Sequence, residues 1–434
     1  MSENKSVSLG EVVDILTGNP FKSAEYEDGE ANPKLLRGDN IAQGSLRWEN
    51  VKRWPKAKSE GLERYELKAG DVVLAMDRPW IEAGLKYACI SEHDLPAYLV
   101  QRVARMRGTE RLRTDFLRYL IGSRAFTAHV LGVQTGTAVP HISAGQIKSF
   151  EFDLPTLKEQ ESIAKYLGAL DDKIELNRRM NETLEEMARA LFRDWFVDFG
   201  PTRRQMVGAT DPAAIMGHAF PPEKAATLAP LFPAKLGDNG LPEGWQTRSI
   251  YEVAKVVYGA PFKSKQFNTE GLGRPLARIR DLPKNAGGQF TEEVHKNEHL
   301  IQPGDIVVGM DGEFRSYLWF GVPTLMNQRI CSFVPIEKSN RAFVWLAIKP
   351  LLKFFEDTAI ATTVIHLGKG DIDTFSVIDA GQDVMTAFST ATEPMASKIV
   401  ANGQENQTLA EMRDLLLPKL MSGEIRLKDA EAAL

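Results

Sequence analysis

The segment "SLGEVVDILTGNPFKS", Ser8 to Ser23, determines how the whole chain is interpreted, because it occurs twice. Placed over "SIYEVAKVVYGAPFKS", Ser249 to Ser264, it matches at eight of sixteen positions without a gap. Two later blocks repeat in the same order: residues 137–150 match 362–375, and residues 173–192 match 398–417. Ordered, collinear blocks indicate two related units in tandem.

Length and composition set the broad class of the protein. The chain has 434 residues, more than one core usually holds, so we expect at least two domains. With 43% hydrophobic and 26% charged residues it is typical of a soluble globular protein. Its net charge of −5 gives no global nucleic-acid signature, although DNA binding needs only a local basic patch. The start of the chain lacks an apolar signal region, which predicts a cytoplasmic protein with no membrane partner.

The two cysteines, Cys89 and Cys331, are far apart and lack the spacing of a zinc cluster or a disulfide framework. We interpret each as a small buried hydrophobic residue rather than as a reactive thiol. No metal site is predicted.

Each unit is predicted to be α/β mixed and to end in a long helix. "EVVDIL", "GDVVLAM" and "GDIVVGM" are strand-like runs bounded by Gly, Pro and Asp, and "RTDFLRYLIGSRAF" and "RAFVWLAIKPLLKFF" are typical of helices. The segment 201–240 is rich in Pro, Ala and Gly, so we interpret it as a partly packed linker.

The long helices carry a coiled-coil seam. After Pro155, apolar positions recur at alternating steps of four and three, with Thr156 as N-cap and Glu159 completing a capping box. The second helix is expected over 388–420, where Pro394 would kink it or delay its start. The predicted helix-pairing residues are Ile163, Leu167, Leu170, Ile174, Asn177, Asn181, Leu184, Ala188, Leu191, Ile399, Asn402, Asn406, Leu409 and Leu416.

Four asparagines in this seam predict how the helices pair. A polar residue in an apolar seam costs stability but specifies register. Asn177 and Asn181 align with Asn402 and Asn406 in the repeat. In an antiparallel pair related by a pseudo-two-fold axis, the midpoints of the helices meet. We therefore expect the four asparagines to lie within one helical turn of each other.

Catalytic constellations are missing from the sequence. Asn19-Pro20-Phe21 resembles the short motif with which amino-group DNA methyltransferases hold the target base, but its copy carries Ala260 in place of the Asn. The nearest glycine-rich turn, Gly271-Leu-Gly273, follows a polar segment and is a weak cofactor signal. Neither a phosphate loop nor a His-x-x-x-His pair is present. We predict no catalytic residue and no cofactor.

The central helix segment resembles one known family. "LPTLKEQESIAKYLGALDDKIELNRRMNETLEEMARALFRDWFVDFGPT" looks like the central conserved region of type I restriction–modification specificity subunits, and "LPEGW", "GDIVVGMDGEF", "LMNQRIC" and "LLLPKLMSGEI" are further hallmarks. The resemblance implies two target-recognition domains separated by two long antiparallel coiled-coil helices. It also implies a non-catalytic subunit that binds double-stranded DNA and joins two methylation subunits and the restriction subunits.

The resemblance divides the chain into five segments. These are a first recognition domain (1–155), a central conserved helix (156–200), a linker (201–240), a second recognition domain (241–380) and a distal conserved helix (381–434). Since the two domains differ in sequence, we expect an asymmetric, bipartite target with an unread spacer. The different endings of "GDVVLAMDRP" and "GDIVVGMDGE" leave open whether Asp77 and Asp311 have the same role.

Repeated and unrepeated polar residues are expected to have different roles, because phosphate contacts position a protein and base contacts specify the sequence. The candidates for framework or phosphate contact are Lys22, Lys263, Arg37, Arg278, Arg102, Arg329, Thr137, Thr362, His141 and His366. The candidates for base contact are Arg47, Trp48, Arg78, Trp80, Arg280, Lys284, Arg315 and Tyr317.

Several alternatives stay open. The two histidines could be structural, the two lysines could be exposed turn residues, and Arg102 and Arg329 could lie at the edge of the core. The run from Arg102 to Arg124, with seven Arg and two acids, is a DNA-facing patch or a solvated helix face. For the whole chain, the alternatives to DNA recognition are a self-contained adenine methyltransferase and a coiled-coil adaptor without DNA contact.

Overall fold

The computed structural model describes residues 5–136, 138–337, 340–358, 365–421 and 424–425. The chain forms two compact units. The first unit comprises residues 1–172 and 409–434, and the second unit comprises residues 173–408. Each unit mixes strands with helices, which confirms the predicted fold class.

The described residues of the first unit form ten short strands and four α-helices in its globular part. The strands are β1 (Lys5–Ser8), β2 (Val13–Thr17), β3 (Lys34–Leu36), β4 (Val72–Ala75), β5 (Trp80–Ile81), β6 (Gly84–Leu85), β7 (Tyr87–Cys89), β8 (Ala97–Leu99), β9 (Val103–Gly108) and β10 (Glu151–Leu154). The helices are α1 (Leu9–Val12), α2 (Thr114–Gly122), α3 (Arg124–Val133) and α4 (Ala144–Lys148), followed by the long helix α5 (Leu157–Phe196).

The central sheet of the first unit has the order β2-β9-β4-β7, with all pairs antiparallel. Strand β3 pairs in parallel with β8, β1 pairs with β10, and β5 and β6 form a hairpin. All four residues of β4 are buried, because the continuous apolar run "VVLA" has covered surfaces on both faces of the sheet. Helix α2 covers one face with Phe116, Leu117 and Leu120.

The second unit repeats this topology. Its strands are β11 (Gln246–Ser249), β12 (Ala254–Tyr258), β13 (Arg274–Ala277), β14 (Gln289–Thr291), β15 (Leu300–Ile301), β16 (Ile306–Gly309), β17 (Ser316–Leu318), β18 (Thr324–Met326), β19 (Ile330–Pro335) and β20 (Ser376–Asp379). The central order is β12-β19-β16-β17, β13 pairs in parallel with β18, and β11 pairs with β20. The internal repeat of the sequence is therefore a repeat of structure.

Six further α-helices follow α5 among the described residues. They are α6 (Gly200–Met206), α7 (Pro212–Ile215), α8 (Pro222–Leu228), α9 (Arg341–Thr358), α10 (Lys369–Ile372) and the long α11 (Gln382–Met421). The short helices α6 to α8 lie in the Pro- and Ala-rich segment 201–240. This segment is well packed: the ring of Phe232 lies edge-on to Trp195, with 4.9 Å between centroids, and Arg204 pairs with Asp194 at 2.8 Å.

Helix α5 begins with the predicted capping box. The Thr156 backbone N–H donates to Glu159 Oε2 at 2.9 Å, and the Glu159 backbone N–H donates to Thr156 Oγ1 at 3.3 Å. This N-cap prediction is confirmed. Of the two expectations for Pro394, the delayed start is wrong, because α11 begins at Gln382 and continues past Pro394, whereas the expected kink stays a prediction. Pro394 is exposed, so water can bind the carbonyl group that the missing N–H leaves without a partner.

The first unit contains one end of the helix pair. Ile163, Leu167 and Leu170 of α5 are buried in the same cluster as Leu417 and Leu420 of α11, with Leu409 and Leu416 partly buried against it. Asp171 accepts hydrogen bonds from Arg413 Nη1 at 2.9 Å, from Arg118 Nη2 at 3.0 Å and from the Tyr119 hydroxyl at 2.8 Å. Burial alone would lower the pKa of Arg413, but these carboxylate contacts raise it and keep the guanidinium charged.

The second unit contains the four asparagines. Asn177 Nδ2 donates to Asn406 Oδ1 at 3.0 Å, and Asn402 Nδ2 donates to Asn181 Oδ1 at 2.8 Å. As the residue number rises on α5, its partner on α11 falls, so the helices are antiparallel. Among the predicted pairing residues next to them, Ala188 and Ile399 are buried, and Ile174 and Leu184 are half-buried. Leu191 is also half-buried, next to the buried Phe192 and Trp195.

Both cysteines are free thiols. Cys331 is fully buried, and burial raises the pKa of its thiol to about 12; burial also raises the pKa of Cys89, which is partly buried. Among the described residues, no His, Cys, Asp and Glu side chains form a group that could hold a metal ion. Within the same ranges, no helix is long and apolar enough to span a membrane.

Candidate nucleic-acid interface

The opening motif of each unit is hydrogen-bonded to a turn that lies later in the same unit. The Gly18 N–H donates to the Val103 carbonyl at 3.1 Å, and the Gln101 N–H donates to the Asn19 carbonyl at 2.9 Å. A Cβ atom on Gly18 would collide with the carbonyl of Val100, so only glycine allows this approach. Asn19 acts here through its backbone.

The copy in the second unit repeats these contacts. The Gly259 N–H donates to the Ile330 carbonyl at 2.9 Å, and the Gln328 N–H donates to the Ala260 carbonyl at 2.8 Å. A Cβ atom on Gly259 would collide with the Asn327 carbonyl. Because Ala260 makes the same backbone contact as Asn19, the exchange of Asn for Ala leaves the turn intact.

The turns held in this way present Arg102 and Arg329. Both residues have left-handed backbones, with φ of 66° and 74°, an uncommon conformation for a non-glycine residue. Their side chains are about half exposed, at 54% and 52%. Such strain persists where the surroundings impose it, and it concentrates at functional sites. The arginine turns are therefore the leading candidates for a shared contact.

Each arginine faces a carboxylate at the end of a central strand. Arg102 Nε lies 2.9 Å from Asp77 Oδ2, and Arg329 Nε lies 3.7 Å from Asp311 Oδ2. Each aspartate therefore forms an ion pair with the arginine of its own unit.

The two histidines differ in their contacts. His366 Nδ1 lies 2.7 Å from Asp311 Oδ1, and its Nε2 lies 3.0 Å from Arg329 Nη1. The His141 ring instead contacts the Val139 carbonyl and Thr135 Oγ1, both at 3.2 Å. Both histidines share one feature, an antiparallel backbone bridge to the aspartate of their own unit. Thr137 and Thr362 lie outside the described residues.

Arg37 and Arg278 lie at the same edge as the arginine turns. Each follows the first strand of a parallel pair, β3–β8 or β13–β18, and parallel strands end at one edge of a sheet. Arg37 Nε donates to Asp39 at 3.1 Å, and Arg278 Nε lies 2.9 Å from Asp281 Oδ2. The Arg278 side chain is 20% exposed and that of Arg37 is 39% exposed, so Arg278 is less accessible to a ligand.

A lysine not identified from the sequence lies in the basic cluster of the first unit. Lys86 is half-buried, and burial lowers its pKa; Asp39 opposes this effect, while Arg78 and Arg47 add to it. Hydrogen bonds place Arg47, Arg78 and Lys86 close together: the Lys86 N–H donates to the Pro79 carbonyl, next to Arg78, and the Gly44 N–H, three residues before Arg47, donates to the Tyr87 carbonyl. Lys86 could have been identified from the sequence by its position, because Arg78 and Lys86 flank the β5–β6 hairpin on either side.

Three base-contact candidates are held by the protein itself. Trp48 Nε1 donates to Asp94 Oδ1 at 2.7 Å, and Lys34 lies 4.9 Å from the centre of the Trp48 ring. Tyr317 is partly buried on β17, where burial raises its pKa. Arg315 Nη1 lies 3.0 Å from Glu356 Oε2. These contacts favour a framework role for all three.

Most of the predicted contacts are exposed. They are Lys22, Arg47, Arg78, Trp80, Arg102, Lys263, Arg280, Lys284, Arg315, Arg329 and His366. Lys22 and Lys263 follow the buried rings of Phe21 and Phe262, so the motif anchors its aromatic residue inside and presents its lysine outside.

Five of the seven arginines in the run 102–124 pair with acidic side chains of the first unit, Arg102 with Asp77 among them. Arg105 is 5% exposed and pairs with Asp14, and Arg107 pairs with the buried Asp71. Arg113 pairs with Asp115, and Arg118 contacts Asp171 and Tyr119. The charge count along the sequence did not show this pairing, because four of the five acids, Asp14, Asp71, Asp77 and Asp171, lie outside the run.

Comparisons with known proteins agree with this layout. The family model described as type I restriction modification DNA specificity domain matches residues 1–186 and 242–378. The HindI specificity subunit of Haemophilus influenzae is 26% identical over 98% of this chain and 100% of its own length. The MjaIX specificity subunit of Methanocaldococcus jannaschii is 24% identical over 73% of this chain and 70% of its own length.

A solved structure has the same fold. The crystal structure of the type I restriction–modification S subunit from M. genitalium aligns with 96% of this chain and 96% of its own, with a TM-score of 0.50 and 15% identity. The family model covers well over half of the chain, in two blocks that coincide with the sequence repeat. The chain therefore belongs to the family of type I restriction–modification DNA specificity subunits.

Proposed function

We propose that this chain reads an asymmetric, bipartite DNA target, one half-site through each globular part. The observation that carries the proposal is the repetition of one topology with different residues at the exposed edge. Both units have the glycine that contacts the turn, the arginine with a left-handed backbone and the aspartate paired with it, whereas the segment after the aspartate differs. A shared framework with divergent edges suits two related but different half-sites.

Within each half-site, the repeated residues would contact phosphates. Arg102 and Arg329 are the strongest candidates, because a phosphate can compete with an exposed aspartate for a guanidinium group. Lys22 and Lys263 would add positive charge beside them. Arg47, Arg78 and Trp80 in the first domain, with Arg280 and Lys284 in the second, are the proposed base contacts.

The domain boundaries follow from the same proposal. Residues 1–155 would form the first recognition domain and 241–380 the second. Residues 156–200 and 381–434 would form the conserved helices, with a linker over 201–240. Two features support this division: α5 spans Leu157–Phe196, and α11 spans Gln382–Met421.

The conserved helices are proposed to dock the two methylation subunits, which restriction subunits then join. Leu176, Met180 and Met187 of α5 are 55%, 36% and 49% exposed. Their spacing of four and seven residues places them on one narrow stripe, which is the geometry of a coiled-coil seam without its partner. Methyl transfer and DNA cleavage would take place in the partner subunits, with the target adenine flipped out of this chain's reach.

Docking can be tested with charged substitutions on this stripe. Leu176→Glu with Met180→Glu should abolish co-purification of the methylation subunits, because the partner would have to bury two unpaired charges. The matched control is Glu182→Gln on the same helix, outside the stripe. Retention of the methylation subunits by the double variant would contradict docking at this face.

The proposed function is tested by mapping methylated adenines in a host genome that carries the methylation subunits, with and without this chain. We expect one bipartite motif with two different halves, present only when the chain is expressed. Methylation of the same sites without the chain would show that specificity lies elsewhere.

A further inference from the structure

The β5–β6 hairpin of the first unit has no counterpart in residues 310–315, the equivalent and fully described segment of the second unit. Between β4 and β7 the chain has eleven residues, 76–86, whereas between the equivalent strands β16 and β17 it has six, 310–315. The first domain thus carries five more residues at this point, 11 − 6, and they form a two-stranded ribbon.

One aromatic side chain is exposed in the first unit and buried in the second. Trp80 and Phe314 both stand three positions after the strand-end aspartate. Phe314 is 3% exposed and packs into the core of the second unit. Trp80 is 39% exposed and Ile81 is 41% exposed, although burying such side chains is strongly favourable. Two neighbouring exposed apolar residues on an inserted ribbon indicate a contact surface.

The ribbon is held firmly at its base. The Lys86 N–H donates to the Pro79 carbonyl at 2.7 Å, and the Ala75 N–H donates to the Lys86 carbonyl at 3.0 Å. The Arg78 N–H donates to the Pro140 carbonyl at 2.6 Å, and helix α3 packs against β5. A ribbon fixed in this way can enter a groove without first losing conformational freedom.

The charges around the ribbon favour nucleic acid over protein as its partner. Arg78 and Lys86 lie at the two ends of the ribbon, and the segment that carries Arg47 is joined to its base by the hydrogen bond from the Gly44 N–H to the Tyr87 carbonyl at 2.9 Å. The nearby acids Asp39 and Asp77 pair with Arg37 and Arg102, so Glu82 in the turn is the single acid of the ribbon itself. Two-stranded ribbons enter DNA grooves, and apolar side chains there can wedge between base steps.

We propose that the Arg78–Lys86 hairpin enters a groove of the half-site read by the first domain, where Trp80 and Ile81 press against the bases and unstack one step. The inference rests on the proposed function and adds a mode of reading to it. The first domain then selects its half-site partly by deformability, which favours pyrimidine–purine steps, and the second domain reads its half without such a wedge.

The test uses the full chain in complex with its methylation subunits, on a duplex that carries the mapped target. 2-Aminopurine is placed at successive positions of the half-site assigned to the first domain. Its fluorescence should rise at one step besides the target adenine, and Ile81→Ala with Trp80→Ala should remove that rise. The same variant should weaken binding by roughly ten- to a hundredfold. Val294→Ala, an apolar residue of the second unit that is 79% exposed, is the matched control.

A second variant keeps the ribbon intact. Glu82→Gln removes the acid at the turn and should tighten DNA binding several-fold at low salt, because the turn would face phosphates. Unchanged affinity and unchanged fluorescence in all ribbon variants would overturn the proposal. Loss of the methylation subunits with DNA affinity retained would overturn it as well, since the ribbon would then be a protein contact. If the wild-type complex fails to distinguish target from scrambled duplex, the proposed function itself fails.

Discussion

At the residue scale, two glycines determine where the arginine turns lie. Gly18 and Gly259 touch a neighbouring backbone so closely that no side chain fits. Their recurrence was visible in the sequence, but their reason was not, because the contact joins residues about eighty positions apart in the first unit.

Substitution of Gly18 should therefore destabilise the first unit. We expect Gly18→Ala to lower its free energy of unfolding by about 1–3 kcal/mol, since the new methyl group forces the Val100 carbonyl away. Urea denaturation measures this loss. Gly132→Ala is the control, because Gly132 lies in α3 with open space around it and alanine there should stabilise by about 0.5–1 kcal/mol. Equal effects of the two substitutions would be evidence against the close approach.

The arginine turns lead to a prediction on salt dependence. If Arg329 neutralises one phosphate, Arg329→Gln should reduce the magnitude of the slope of log affinity against log salt by about one. The comparison is with Arg193→Gln, an arginine of α5 that is 74% exposed and outside the proposed interface. A slope unchanged by Arg329→Gln would indicate that the Asp311–Arg329–His366 contacts are purely structural.

At the element scale, the helix pair shows what local sequence can predict. The repeat alignment led to the expectation that four asparagines meet, and Asn177 and Asn181 are hydrogen-bonded to Asn406 and Asn402. The capping box at Thr156 follows from local chemistry. The passage of α11 through Pro394 does not, because tertiary packing over the remaining turns outweighs one missing hydrogen bond.

The asparagine pair can be tested with a double-mutant cycle. Asn402 is fully buried, and Asn181→Leu alone removes the acceptor of its amide N–H. This substitution should therefore lower the free energy of unfolding by about 1–3 kcal/mol. Asn181→Leu with Asn402→Leu should cost less than the sum of the two single changes, because no buried amide is then left without its partner. Chemical denaturation of the four proteins gives the coupling energy. Additive effects would mean that the hydrogen bond contributes little to helix pairing.

The candidate interface could be predicted only in part from single elements. Repetition identified Arg102, Arg329 and their neighbours, since both copies must build the same turn. It could not identify Lys86 or the ribbon, which one unit alone contains, and it overrated the run 102–124. Charge counts along a sequence do not show that Arg105 faces inward on a strand and is paired with Asp14.

At the scale of the whole molecule, the tandem repeat and the family match point to one organisation. Two units share a topology, and each contains one stretch of the same antiparallel helix pair. Each unit has its own hydrophobic clusters and its own exposed edge. Under the proposed function, such a subunit would be able to change one half of its target while the other half is kept.

The exchange of one recognition domain tests this claim most directly. Residues 241–380 are replaced by the corresponding segment of a relative with a different target, and methylated adenines are mapped genome-wide in cells that carry the methylation subunits. We predict that one half of the methylated motif changes to that of the donor, while the other half and its strand assignment stay the same. A motif that is unchanged, or altered in both halves, would contradict independent reading by the two domains.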